Sequence, residues 1–178
     1  MVFGASVTLR SEAGERQVPV ADLMTGPGTT VAAADELLTE VDVPLPPAGS
    51  GSCYARLEYR RQMEIAVVGV TAAVAVADGT VESARVAITA LAPTIRLIPE
   101  AGEALVGSDG GAAAIERAAG AAAAAAEPIS DVRASADYRR AMAEVVARRV
   151  VTAAVARARG ETVPVPASSA LFGAGNTS

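Results

Sequence analysis

The sequence predicts an α+β chain in which antiparallel strands come first and helices pack against them. Three observations carry this. Apolar residues alternate through the first half, they recur at helical spacing in the second, and Asp78-Gly79 sits between two alternating runs where a hairpin turn belongs. Ala5 to Arg10 alternates around Val7 and Leu9, and Glu15 to Val20 around Val18 and Val20. Ser11 to Gly14 between them has turn chemistry, so a hairpin is expected. Gly26-Pro27-Gly28 marks a turn, and the run from Leu37 to Val43 reads as a half-buried strand ended by Pro44. Residues 46–52, Pro-Pro-Ala-Gly-Ser-Gly-Ser, read as a linker, which places a domain boundary near residue 48.

Beyond the linker, Tyr54 to Tyr59, Ile65 to Ala77 and Val81 to Leu91 form a predicted three-stranded antiparallel meander, the last two joined through Asp78-Gly79. Ala112 to Ala126 is alanine-rich and predicts a small-faced helix stopped by Pro128. From Ser135 to Arg159, Met142, Val146, Val150 and Ala153 fall on one helical stripe, and Arg140, Glu144 and Arg148 on another as i, i+4 charge pairs. Gly160 is placed to cap that helix, and residues 161–178 read as a flexible tail.

Composition narrows function. The 178 residues are 51% hydrophobic and 20% charged, a globular balance, but only 3% aromatic, so the core is built from Ala, Val, Leu and Ile. A net charge of −5 repels nucleic-acid backbones and anionic lipid, and no apolar run approaches the roughly 20 residues that span a bilayer. There is no histidine, and every basic residue is arginine. A histidine general base, an imidazole metal ligand and a Schiff-base lysine are therefore excluded for these residues. The single cysteine, Cys53, makes neither an internal disulfide nor a cysteine-based metal site, which fits a reducing compartment, with the cytoplasm expected. No export signal is expected at the start of the sequence.

Candidate sites are few. Gly26-Pro27-Gly28-Thr29-Thr30 lacks the Gly-Lys-Ser/Thr ending of a phosphate loop and reads as an ordinary turn. Asp35, Glu36, Glu40 and Asp42 read as a solvated edge, with no acid/base pair. No catalytic residue and no metal site is assigned. The unusual stretch is Tyr54 to Gly69, which sets Arg56, Arg60 and Arg61 with two tyrosines and Glu58 and Glu64 just before an apolar strand. Two readings stand: a solvent-facing Arg/Glu ladder, or the edge of an anion or cofactor site.

Several segments carry a family resemblance. They are Gly26-Pro27-Gly28-Thr29, Asp35 to Glu40 with Val43-Pro44, then Tyr54-x-Arg56, Arg60-Arg61 and Glu64-Ile65-Ala66 with Val68-Gly69. Ala90 to Thr94, Glu103-x-Leu105-x-Gly107 and Pro128 to Arg140 continue it. Across these the sequence resembles the medium, FAD-binding subunit of the molybdenum hydroxylases, the family of aerobic carbon monoxide dehydrogenase and xanthine dehydrogenase. The resemblance implies that residues 1–47 are the end of an FAD-binding domain. It further implies that 52–160 form the C-terminal domain, a three-stranded antiparallel sheet packed with helices.

The family's two glycine-rich pyrophosphate loops have no match here, so FAD is expected only with a front half supplied from elsewhere. By motif position Leu38 resembles the apolar residue against the isoalloxazine and Arg56 a cation near the ring. Arg60, Arg61, Glu64 and Ile65 resemble the loop at its edge, with Glu64 where aspartate is usual. A guanidinium there acts electrostatically, since arginine is not an acid or base at neutral pH. The implied partners are a molybdopterin-containing large subunit and an iron–sulfur small subunit, with electrons passing through FAD to an external acceptor. The alternative expectation is a non-catalytic remnant or interaction module without flavin.

Overall fold

The structure is a computed structural model that describes residues 1–60 and 63–164. Two bodies of strand follow one another. In the first, β1 (Ser6–Ser11) pairs antiparallel with β2 (Gly14–Pro19) as expected, through the two residues Glu12 and Ala13. A short helix α1 (Val20–Leu23) and a two-stranded ribbon, β3 (Met24–Gly26) and β4 (Thr29–Thr30), lead to β5 (Leu37–Asp42). The glycine-proline-glycine stretch is the turn of that ribbon. β5 pairs with β1, giving the order β2-β1-β5 over a small core of Val7, Leu9 and Val18.

The second body is a four-stranded antiparallel sheet, β6 (Ser50–Leu57), β7 (Val68–Ala77), β8 (Thr80–Thr89) and β9 (Arg96–Leu97), in sequence order. The hairpin at Asp78-Gly79 forms with both residues at positive φ, +50° and +78°, the geometry of the tight turn that matches strand twist. The expected meander gains β9, a two-residue edge strand too short to show a period. The linker reading fails from residue 49 onward. Gly49 accepts a hydrogen bond from Val76 N, and Ser50, Gly51 and Ser52 are strand residues paired with Ala75, Val74 and Ala73. The glycine at 51 serves close packing against the helix that crosses it, not flexibility. The strand expected to start at Ile65 starts at Val68.

Helices cover one face of this sheet: α2 (Pro99–Glu103), α3 (Ala112–Ala124) and α4 (Ala136–Ala158). α2, like β9, went unforeseen; its five residues include a proline at the start and a glycine. α4 crosses β6 and β7, with α3 along its side. Buried Val68, Val70, Ala72 and Val74 of β7 meet Val146, Val150, Val151 and Ala154 of α4 in one core. Ser135 caps α4, its Oγ accepting from Tyr138 N at 3.2 Å, and Gly160 ends it at φ +82°. Val146, Val150 and Ala153 are buried as expected and Met142 packs at the core's margin. Glu144 pairs with Arg148, which also grips Glu116 on α3 through two bonds of 2.5 and 2.7 Å. Arg140 pairs with Asp137 instead.

No helix among the described residues is long and apolar enough to cross a membrane. The expected tail opens with residues 161–164, where Val163 O and Pro164 O accept from Arg157 Nη2; residues 165–178 lie outside the described residues.

Candidate functional site

The arginine-rich stretch emerges from the end of β6 and returns into β7, so residues 58–67 form the loop joining them. Val67 N donates to Leu57 O at 2.8 Å and closes its base. Arg56 is the last outward-facing residue of β6 and stands opposite Gly69. Its Nε lies 2.5 Å from Glu58 Oε2, an ion-pair contact without the angle of a hydrogen bond, so Glu58 Oε2 is buried with no hydrogen-bond donor. Arg60 Nε donates to Glu64 Oε2 at 3.1 Å and its Nη2 to Met63 O, while Glu64 Oε1 accepts from Ile65 N at 3.0 Å. Glu64 thus folds the loop back on itself, with Met63 at φ +50° at the bend. Arg61 lies outside the described residues. Ile65 is exposed.

Four of the expected site residues, Arg56, Arg60, Glu64 and Ile65, therefore share one loop and its strand. Leu38 does not join them through any strand pairing. It sits on β5 of the other sheet, half exposed, on a strand whose six residues all face solvent. The carboxylates near β5 behave differently from a uniform solvated edge. Glu36 precedes the strand and takes two bonds from Arg16, at 2.7 and 2.8 Å, and one from Ala33 N, which hold its carboxyl well down, at about 2.

What fixes the loop is a set of residues to which sequence reasoning assigned no role. Arg139, in the first turn of α4, is buried with a side chain 5% exposed. Its Nη1 donates to Val67 O at 2.9 Å and Ala90 O at 3.4 Å, and its Nη2 to Asp131 Oδ1 at 2.6 Å. Asp131 Oδ1 also accepts from Arg133 N and Ala134 N. The Arg133 amide first, the Arg139 guanidinium second and the Ala134 amide after them bring its carboxyl down to about 2. Tyr59 donates its hydroxyl to Arg133 O, and Arg133 Nε stands 3.9 Å from Glu64 Oε1. The signal was available: Arg139 sits one turn before Ala143 and two before Val146, a charge inside the apolar stripe.

As a flavin environment the residues fit one edge of the ring. They offer guanidinium groups and exposed apolar side chains, whereas Gly69 opposite Arg56 is buried, the place of a Cβ there being taken by Thr89 Cγ2 at 2.4 Å and the Tyr54 hydroxyl at 3.3 Å. They offer no cradle for the pyrophosphate. The glycine-rich turn before α3 is filled by the chain's own groups, Gly111 N donating to Asp109 Oδ1 and Gly110 N to Ser108 Oγ. A cleft of about 290 Å³ exists elsewhere, between Phe3, Leu45 and the outer face of the sheet around Ser52 and Arg85, away from the loop. Cys53 faces the core, where burial pushes its thiol up and keeps it protonated at neutral pH.

Fold and site together define an α+β module that presents an arginine-rich loop from one end of a helix-backed antiparallel sheet. Comparison narrows that class. Residues 52–154 match the CO dehydrogenase flavoprotein C-terminal domain, and residues 1–46 match the FAD binding domain in molybdopterin dehydrogenase. The chain belongs to this family, that of the FAD-binding medium subunits of molybdenum hydroxylases.

Among relatives, the carbon monoxide dehydrogenase medium chain of Afipia carboxidovorans is 35% identical over 88% of this chain and 54% of its own length. The nicotine 6-hydroxylase medium subunit of Paenarthrobacter nicotinovorans is 31% identical over the same shares. Among solved structures, reconstituted CO dehydrogenase from Oligotropha carboxidovorans superposes with a TM-score of 0.83 at 34% identity, covering 88% of this chain and 54% of that one. Quinoline 2-oxidoreductase from Pseudomonas putida 86 gives 0.81 at 29%, with the same coverage. The chain spans about half the length of the curated relatives it matches.

Proposed function

We propose that this chain supplies one wall of a flavin pocket and the subunit contacts of a molybdenum-hydroxylase FAD subunit, closing on FAD together with the rest of the FAD-binding domain. The observation that carries the reading is the family match over 52–154, which falls on the loop where Arg56, Arg60, Glu64 and Ile65 stand together. In this reading residues 1–47 complete the FAD-binding domain, residues 52–160 are the C-terminal domain, and Leu38 lies against the ring from β5.

The flavin, when bound, supplies the redox chemistry. The chain's own groups orient it and limit water. Arg56 and Arg60 place positive charge where the ring gains electron density, Arg61 adds to that charge, Ile65 and Leu38 give apolar contact, and Glu64 holds the loop's shape. The partners are a molybdopterin-containing large subunit and an iron–sulfur small subunit, with electrons passing through FAD to an external acceptor, in the cytoplasm.

The test is a titration of FAD into this chain alone and into its mixture with a polypeptide carrying the front half of the carbon monoxide dehydrogenase medium chain, read by flavin absorbance and fluorescence. Flavin retained after gel filtration only in the mixture supports the reading. A mixture that elutes as two colourless peaks overturns it and leaves a module without flavin.

A further inference from the structure

We propose that Asp131 and Arg139 are positioning residues that set the shape of the β6–β7 loop, acting from the α3–α4 connection and the first turn of α4. As a statement about flavin this rests on the wall reading above; as a statement about the loop it stands on geometry alone. The clamp reaches the loop at three points. Arg139 holds the carbonyl of Val67 at its exit, Arg133 takes the Tyr59 hydroxyl on its carbonyl at the entry, and the Arg133 side chain faces Glu64 at the bend. Asp131 is the hub, since its Oδ1 alone receives Arg139 Nη2, Arg133 N and Ala134 N. Ser130 and Ser135 fix the hub to the helix, accepting from Ala136 N and Tyr138 N.

A buried charge is a poor means of stabilising a core built from alanine and valine. Replacing such an ion pair by hydrocarbon of similar volume is often neutral or favourable, whereas a charge that chooses one arrangement of backbone carbonyls has a directional use. Arg139 even leaves its Nε buried and without a partner while aiming both terminal nitrogens at carbonyls and at Asp131. Its geometry is spent on where Val67 and Ala90 sit. Through Val67 and Asp131 it decides where Arg60, Glu64 and Ile65 are presented.

The experiment is amide hydrogen exchange on the full chain and on Asp131→Asn, which keeps a carbonyl oxygen for the Arg133 and Ala134 amides but removes the charge. Exchange at Ile65 and Val67 at least tenfold faster, with the amides of β7 and α4 unchanged, is the expected result. Unchanged loop amides overturn the proposal, and so does uniform acceleration through β7 and α4, which describes an ordinary core contact.

Should Asp131→Asn fail to fold, Tyr59→Phe cuts only the tie to the Arg133 carbonyl. It is expected to speed exchange at the loop's entry while Val67, still held by Arg139, stays protected; no change at the entry overturns the proposal. In the FAD mixture, the loosened variant is expected to release flavin about tenfold more readily. A loosened loop with unaltered flavin retention leaves the clamp standing and refutes the flavin-wall reading instead.

Discussion

Gly51→Ala is a single added methyl near the start of β6, and its consequence follows from where α4 crosses. A Cβ at Gly51 would stand 2.2 Å from Ala154 O, 2.2 Å from Ala158 N and 2.8 Å from Arg157 C, all backbone of α4. Ordinary contact with such atoms is about 3.5 Å, so the helix must retreat by roughly 1 Å, and backbone does not rotate aside as a side chain does. Retreat strains the Arg157 Nη1 to Ser52 O bond, 2.6 Å long, and opens the interface over Cys53 and Ala55.

Overpacking of this kind costs about 1–3 kcal/mol, and a clash with helix backbone, which cannot rotate aside, belongs at the upper end. For a chain of this size about 3 kcal/mol lowers the melting midpoint by roughly 6–12 °C. The assay is thermal unfolding by circular dichroism, with Gly120→Ala as the internal control. Gly120 lies within α3 with nothing within 4 Å of a built Cβ, so the same change is expected to raise the midpoint, by about 0.5–1 kcal/mol of added helix stability. A Gly51→Ala midpoint within about 2 °C of the parent refutes the close crossing.

Other outcomes follow from the same geometry. Glu36 and Asp131 titrate near 2, against 4.5 and 3.8 when unperturbed. A carboxyl depressed in the folded state adds stability above its unfolded value and loses it as the pH falls through the folded one. Midpoints are therefore expected to hold from pH 7 to 5 and fall between about 4.5 and 2, and Glu36→Gln should flatten part of that fall. Gly79→Ala forces a side chain to φ +78° with no clash, so its expected cost is about 1–2 kcal/mol by urea titration. In the reconstituted FAD subunit, Arg56→Gln is expected to slow flavin reduction about tenfold or more with little change in melting; equal small effects on both would make Arg56 part of a surface ladder.

Much of this architecture can be read from residue order because local physics repeats there. Alternation in β7 and β8 and the Asp78-Gly79 turn report one hairpin, and the stripe Val146, Val150, Ala153 reports the buried side of α4. Where local and distant demands part company, reading fails. Gly49-Ser50-Gly51-Ser52 has the composition of a spacer, yet the glycine at 51 answers a helix about a hundred residues away and that at 49 answers Val76 of β7, which no local pattern encodes. β9 and α2 are too short for a period. At the candidate site the residue types of the loop were legible, and Arg139 stood out as a charge inside an apolar stripe, but what it holds was not legible, because Val67 and Ala90 lie 72 and 49 residues away in sequence.

The alanine lining between α3 and α4 has a thermodynamic consequence of its own. Ala114, Ala118, Ala119 and Ala122 on one helix and Ala143, Ala147 and Ala154 on the other are buried, and an alanine has no side-chain torsion to freeze when it goes inside. This interface therefore forms with almost no loss of rotamer freedom, but each methyl also contributes little area. Apart from Ile115 and the Arg148–Glu116 pair at its edge, its strength is the sum of many small, similar terms, with no spare volume in which a larger side chain would settle. Such a seam tolerates trimming and resists filling, so variation between the two helices is expected to run toward glycine and serine before it runs toward leucine.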